Sequence, residues 1–225
     1  MNDSMGDRFK RYENVSDGFL VRRTPVIARI DGKAFHTLTR GCQRPFDGNF
    51  ARAMAAARLC EEVQGCKLAY WQSDEISLLL CDYDTIQTEA WFDYRLQKLC
   101  SIGASIAAVA FTQAFGKEAH FDARFFNVPE NDVVNYFVWR QKDAERNSLQ
   151  MLAQAHFSPK ELHGKKREDL HELLHSKGVN WNDCDTIQKR GACLVRDEYG
   201  WRVDPAVPIF SQTREYIQRL LPVTV

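Results

Sequence analysis

The apolar residues gather into dense runs separated by short polar breaks, and the spacing inside each run predicts an element. Residues 25–30 (PVIARI) form a compact β-rich run that stops at Asp31-Gly32, a turn-forming pair. Residues 49–64 (NFARAMAAARLCEEVQ) are rich in Ala, Leu, Met and Arg behind an Asn cap and predict a helix. Residues 67–72 (KLAYWQ) and 76–81 (ISLLLC) predict two strands joined as a hairpin through Ser73, Asp74 and Glu75. Residues 88–115 predict one long helix or two, with Gly103 permitting close packing, and residues 123–128 (ARFFNV) a further strand. Residues 129–156 open on Pro-Glu and carry Val133, Phe137, Val138 and Leu149 at helical spacing. A short helix is expected over 8–15. Residues 160–177 are charged and helical, and 192–196 with 201–203 bracket Tyr199-Gly200 as a late hairpin. The order through residue 128 is βαββαβ, the ferredoxin-like pattern, which predicts an α+β fold with an antiparallel sheet and both helices on one face.

Composition changes this picture little. The chain has 225 residues, about one and a half domains by ordinary domain size. Apolar residues make up 44% and charged residues 27%, which excludes a disordered tail, a collagen-like fibre and a coiled-coil rod. Lys and Arg number 30 against 30 Asp and Glu, a balance that argues against indiscriminate coating of nucleic acid or membrane while leaving room for a local basic groove. The most apolar stretch, 101–115, carries Ser, Thr and Gln and falls short of the roughly 18 residues that a membrane span needs, so no membrane association is expected. The first residues are polar, without an apolar signal core. Seven cysteines without CxxC spacing predict free thiols in a reducing cytoplasm.

The candidate chemistry lies in carboxylates. Strands one and three of a ferredoxin-like sheet are central neighbours, so the end of the first strand and the hairpin before the third share one sheet edge. Asp31, Asp74 and Glu75 would converge there. Acidic groups so close repel one another and call for a cation, and hard oxygen ligands select Mg²⁺. Two such ions about 3.5–4 Å apart clamp the attacking and leaving oxygens of a phosphoryl or nucleotidyl transfer. Either turn alone is an ordinary polar turn, and only their joint placement carries weight. Residues 31–41 (DGKAFHTLTRG) add small and cationic groups that can cradle a triphosphate.

Seven motifs carry a resemblance. Arg29-Ile-Asp-Gly-Lys-Ala-Phe-His36, Arg44-Pro-Phe-Asp47, Tyr70-Trp-Gln-Ser-Asp-Glu75, Phe121-Asp-Ala-Arg124, Trp139-Arg-Gln-Lys-Asp143, Phe157-Ser-Pro-Lys-Glu-Leu-His-Gly164 and Lys189-Arg-Gly191 occur in one order over about residues 5–196. Together they resemble the tRNA-histidine guanylyltransferase superfamily, whose members extend RNA in the 3′-to-5′ direction. The resemblance implies a polymerase-type palm over 1–128, with a short N-terminal segment, and a mostly helical extension over 129–225 for tRNA binding and assembly. It implies two Mg²⁺ ions on Asp31, the Gly32 carbonyl and Asp74, with Glu75 alongside. Arg29, Gly32, Lys33, Ala34, Phe35, His36, Arg44, Asp47, Ser73, Arg95 and Lys98 would bind nucleotide. Arg124, Arg140, Asn147, Lys165, Lys189 and Arg190 would face RNA. By the same resemblance the protein is a homotetramer, a dimer of dimers, with tRNA, ATP and GTP as its substrates.

One departure bears on the subclass. The eukaryotic enzymes carry His-Ile-Asn-Asn where this chain has Glu145-Arg-Asn-Ser148. That points away from obligatory addition of one guanylate to histidine tRNA and toward the bacterial and archaeal guanylyltransferase-like branch, which repairs truncated 5′ ends against a template. The implied reaction activates the 5′-monophosphate with ATP or GTP. The 3′-hydroxyl of an incoming nucleoside triphosphate then attacks, and pyrophosphate is finally lost. Three other readings compete. His171-Glu-Leu-Leu-His175 spells HExxH, the zinc-hydrolase signature, but Trp181 stands where a third His would fall, and a charged helix burying Leu170 and Leu174 explains the same pattern. A non-catalytic RNA-binding relative would have no use for carboxylates facing phosphate. A palm-fold nucleotide cyclase would share the carboxylate logic. The Arg22-Arg23, 165–167 and 189–190 clusters are candidate phosphate contacts.

Overall fold

Central strands that bury apolar side chains on both faces need cover on both, and the fold supplies it. The computed structural model describes residues 4–54 and 57–222. Helix α1 (Met5–Asn14) is followed by β1 (Val26–Gly32), the single turn α2 (Phe35–Leu38), α3 (Gly48–Met54) and α4 (Ala57–Glu62). The hairpin β2 (Cys66–Gln72) and β3 (Glu75–Leu80) leads to α5 (Leu96–Phe115) and β4 (Phe121–Asn127). The remainder comprises α6 (Glu130–His156), α7 (Pro159–Leu162), α8 (Arg167–Ser176), α9 (Thr186–Arg190), β5 (Ala192–Asp197), β6 (Gly200–Asp204) and α10 (Glu215–Gln218). The sheet is antiparallel throughout, in the order β4-β1-β3-β2-β5-β6. Its first four strands have the expected ferredoxin-like arrangement.

Val26, Ala28, Ile30, Trp71, Leu78 and Leu80 pack toward α3, α4 and α5. Ile27, Leu68, Tyr70 and Leu79 point the other way, against Val133, Phe137, Phe210 and Ile217. Burying a side chain of this size contributes about 1.5–3 kcal/mol, and a strand buried on both faces shows no polar alternation. On α5, Leu99, Gly103, Ala107 and Phe111 form the buried row. A Cβ on Gly103 would meet the Phe125 ring at 3.0 Å, so the expected close packing is present. By length and composition alone α5 could cross a membrane; here its buried row packs on β4 and β1, and Ser101 and Ser105 lie exposed on the helix.

Four expectations are modified. The helix expected over 88–115 begins only at Leu96, because Phe92, Asp93 and Tyr94 take left-handed φ values of 49°, 51° and 57°. That geometry costs about 1–2 kcal/mol per L-residue. Contacts from residues 17–22 offset the cost: Arg22 bridges Asp82 and Asp93, the Leu20 N–H donates to the Tyr94 carbonyl, and Asp17 pairs with Arg95 at 2.7 Å. The helix over 49–64 is seen as α3 and α4, with residues 55 and 56 outside the described residues. The helix over 160–177 divides at Gly164 (φ 74°) into α7 and α8. Finally, the late hairpin joins the palm sheet, β5 pairing with β2 through Ala69↔Leu194, Tyr70↔Cys193 and Trp71↔Ala192.

Gly191 makes that last junction possible. Its φ is +75°, and a Cβ there would stand 2.2 Å from the Trp71 carbonyl oxygen. Gly191→Ala is therefore expected to cost at least about 1–3 kcal/mol. Thermal unfolding should show a drop of several degrees in Tm, whereas Gly164→Ala, at a positive φ with nothing within 4 Å, should cost less.

Candidate active site

The register of β1 fixes the site. Asp31 lies opposite Glu75 on β3 and opposite Asp122 on β4, so three acids stand abreast across three strands. Asp74 adjoins them in the β2–β3 turn, where Ser73 takes φ 50°. The Gly32 N–H donates to the Asp74 carbonyl at 3.0 Å, tying the end of β1 to that turn. Position 32 must be glycine for packing reasons, since a Cβ would come within 2.3 Å of the Phe35 ring. Phe35 in turn is wedged among Phe50, Phe111 and Phe121, with ring centroids 5.1–5.9 Å away.

The two outer acids each have an arginine. Glu75 is held by a buried bidentate fork from Arg140, at 2.7 and 2.8 Å, and Arg140 also donates to Asp143 at 2.9 Å. Asp122 is exposed and pairs with Arg124 at 3.4 Å. Among the described residues no ion pair within 4 Å reaches Asp31 or Asp74. Burial pushes both carboxyls above the ordinary aspartate range; Asp122 adds to the effect at Asp31, and Asp31 adds to it at Asp74. Burial also raises Glu75, and the Arg140 guanidinium pulls against that rise.

This arrangement fits a hard cation. Among the described residues no three His, Cys, Asp or Glu side chains cluster around a common metal position. Arg29 and Arg124 offset part of the charge at Asp31 from a distance, and Ser73 bonds Asp74; an ion here would draw on these two carboxylates and the Gly32 carbonyl, and take its other ligands from water and phosphate, as Mg²⁺ habitually does. The HExxH segment likewise has no third ligand among the described residues. Trp181 is buried, lies edge-on to His171 at 5.8 Å and donates its indole N–H to Ser148 Oγ at 3.0 Å. Leu170 and Leu174 face the core, so this segment packs as an ordinary amphipathic helix.

The other expected residues divide into available and committed. Lys33 and His36 are exposed on the turn after β1, and Ala34 takes a left-handed φ of 56°. The backbone of that turn is partly used, since the Lys33 N–H donates to the His120 carbonyl at 2.8 Å. Arg44 is exposed. Asp47, by contrast, accepts from the N–H groups of Gln43, Asn49 and Phe50, all at 2.9 Å. Those bonds, Phe50's foremost, hold its carboxyl below the usual range. Its first job is to shape the start of α3, on a cleft of about 410 Å³ that Asn49, Arg52 and Lys117 also line. Arg29 lies half-buried on β1 with an unpaired Nε. Arg95 stacks 5.5 Å over Phe19 while paired with Asp17, and Lys98 lies 5.5 Å over Phe92.

Several residues expected to face RNA are turned inward. Arg140 is the clearest correction: it is 6% exposed and its Nε and Nη2 are committed to Glu75 and Asp143, so it is not a surface cation. Arg190 pairs with Glu145 at 2.9 Å, Lys189 donates to the Asn182 carbonyl at 2.5 Å, and Asn147 reaches Asp143 at 3.5 Å. Lys165 is exposed, as is Arg124. Two site residues escape a reading of the sequence. Asp122 gains meaning only through its register opposite Asp31. Asp143 is one of many acids on a long helix until it is seen sharing Arg140.

Comparison with known proteins agrees with this geometry. A family model described as Thg1, tRNAHis guanylyltransferase, matches residues 6–129. A solved bacterial tRNA(His) guanylyltransferase (Thg1)-like protein in complex with ATP superposes with a TM-score of 0.95 at 44% identity, covering 98% of this chain and 100% of that one. A second bacterial one, in complex with GTP, has a TM-score of 0.84 at 40% identity over 97% of this chain and 99% of that one. The tRNA(His) guanylyltransferase of Debaryomyces hansenii is 29% identical over 224 residues, covering 88% of this chain and 82% of the relative.

The raised carboxyls yield a stability test. A carboxyl whose pKa is higher in the folded state favours folding when protonated, and that contribution is lost as pH rises through the folded value. At pH 7.5 the metal-free protein should therefore be stabilised by Asp31→Asn or Asp74→Asn, by about 2–4 °C in Tm for each kcal/mol gained. Mg²⁺ should raise the Tm of the native protein at pH 7.5, less so as pH falls toward 5, and leave Asp31→Asn unchanged; calorimetry across this pH range reads all three.

Proposed function

The chain belongs to the tRNAHis guanylyltransferase family, and from that premise we propose that it repairs tRNA 5′ ends by templated nucleotide addition in the 3′-to-5′ direction. As a family member it is a nucleotidyltransferase. The observation that carries the proposal is the pair Asp31 and Asp74, which no ion pair within 4 Å reaches among the described residues, at the sheet end beside an exposed Lys33 and His36. Asp31, the Gly32 carbonyl and Asp74 would hold Mg²⁺, which when bound favours a deprotonated hydroxyl nucleophile and offsets charge on phosphate.

The chain's own groups account for the rest. Lys33, His36 and Arg44 supply charge to a triphosphate, while Lys98 lies at the far end of the sheet over Phe92; Arg124 lies near Asp122 on β4 for the 5′ phosphate of the RNA. Phe35, locked among three phenylalanines, keeps the turn after β1 in place while nucleotides exchange. The monophosphate end is activated by ATP or GTP, the 3′-hydroxyl of the incoming triphosphate displaces the activating nucleotide, and pyrophosphate leaves from the new end. No side-chain nucleophile is needed. The free thiols suit a reducing cytoplasm, where we place the protein.

Addition of a single guanylate to histidine tRNA is the second reading that the family allows. What favours repair is the use made of Glu145 and Ser148, where the eukaryotic motif has His and Asn. Glu145 pairs with Arg190, and Ser148 receives the Trp181 indole N–H, so both work inside the molecule and not toward RNA. The reading is tested by incubating 5′-truncated tRNA with ATP, the four nucleoside triphosphates and Mg²⁺. Extension should follow the template strand and fall by at least about 100-fold in Asp31→Ala and Asp74→Ala. Addition of guanylate alone, to full-length histidine tRNA alone, would favour the second reading.

A further inference from the structure

The three acids abreast on β4, β1 and β3 are not equivalent, and the difference lies in one helix. Arg140 reaches from α6 across to Glu75, and both side chains are more than nine-tenths buried, at 7% and 8% exposure. Trp139 stacks against the guanidinium at 4.4 Å, and the Nη2 that serves Glu75 also donates to Asp143 at 2.9 Å. One register step further along, Ser77 and Tyr136 share a hydrogen bond of 2.8 Å. Gln141 is fixed at both ends of its amide, donating to the Pro208 carbonyl and accepting from the Phe210 N–H, each at 2.8 Å. Arg140 is thus held by its own helix as firmly as it holds Glu75. A fork of this geometry occupies both oxygens of the carboxylate.

We infer that the Arg140–Glu75 bridge sets the charge of the carboxylate centre, withdrawing Glu75 from the donor set so that a divalent cation meets Asp31 and Asp74 alone. This rests on the metal-dependent reading of the site given above. Arg140 and Glu75 are then positioning residues. Glu75 adjoins Asp74 in sequence and faces Asp31 across the strands, so fixing it fixes the spacing of both neighbours. The bridge also prevents a third anion from competing for the ion. Without Arg140, Glu75 would be a free carboxylate next to Asp31, and the site would bind a cation more tightly and in the wrong place. Without the Glu75 charge, Arg140 would have only Asp143 to balance it, and with Arg29 it would leave positive charge behind the site, which would then bind a cation less well. The two single changes are predicted to act in opposite directions.

The test is Mn²⁺ binding to the nucleotide-free protein, followed by electron paramagnetic resonance of the free ion, in Arg140→Met, Glu75→Gln and the double variant. Arg140→Met should bind Mn²⁺ about tenfold more tightly while losing turnover, and Glu75→Gln about tenfold more weakly. The double variant should return to within about twofold of the native affinity. A buried arginine removed from its partner can unfold a domain, so Arg140→Lys is included: it keeps the charge and should bind within about twofold of native. If Arg140→Met does not fold, Glu75→Gln against Arg140→Lys decides. A merely structural bridge would weaken binding in every variant, and that result, or affinities unchanged throughout, would overturn the inference. Failure of the native protein to bind Mn²⁺ at all would overturn the metal-dependent reading beneath it.

Discussion

Antiparallel pairing of β1 with β3, in the register that sets Asp31 opposite Glu75, is the constraint on which the molecule depends. It brings acids from distant parts of the chain to one end of a sheet whose middle is buried on both faces. Asp31, Asp74 and Glu75 lose part of their hydration there, so their mutual repulsion calls for an answer. Arginines supply it for Glu75 and Asp122. Asp31 and Asp74 are left, with their carboxyls pushed upward by burial. The site is therefore defined as much by the carboxylates that have been neutralised as by those that have not.

Helix α6 makes this selective neutralisation hold. Its first half is fastened to the sheet by Tyr136 and Arg140 and to the segment after β6 by Gln141. Its second half forms a small core with Leu162, Leu170, Leu174 and Trp181, and Glu145 reaches Arg190 just before β5. Tyr70 closes the circuit by donating to the Arg190 carbonyl at 2.6 Å from within β2. The C-terminal residues are thereby bound to the palm by a helix, by two added strands and by buried polar contacts. Groups that resemble RNA contacts in the sequence serve this fastening. The residues free to meet a nucleotide are those on the turn after β1 and the exposed edge of β4.

Much of this was legible in the sequence, for identifiable reasons. The strands over 25–30, 67–72 and 76–81 are dense in apolar residues, and the first two end at turn-forming residues, so their positions and pairing order follow from elementary preferences. Asp31 and Asp74 followed from that order, because the central strands of a βαββαβ sheet must be neighbours. What escaped depends on tertiary contact. No propensity announces three successive left-handed residues at 92–94, which exist because residues 17–22 hold them. The junction of β5 with β2 depends on the clearance at Gly191. Arg140 looked like a surface cation within Trp139-Arg-Gln, and only the acid facing it across the core shows that it is not. Asp47 had the same ambiguity, settled by the three N–H groups it accepts.

The most direct test of this account is a crystal structure with Mn²⁺ and a slowly reacting nucleoside triphosphate, the ions located by their anomalous scattering. The account predicts ions bound by Asp31, the Gly32 carbonyl and Asp74, with Glu75 still forked to Arg140 and the triphosphate beside Lys33 and His36. An ion bound by Glu75 with the fork broken, or a triphosphate bound away from Asp31 and Asp74 altogether, would contradict it.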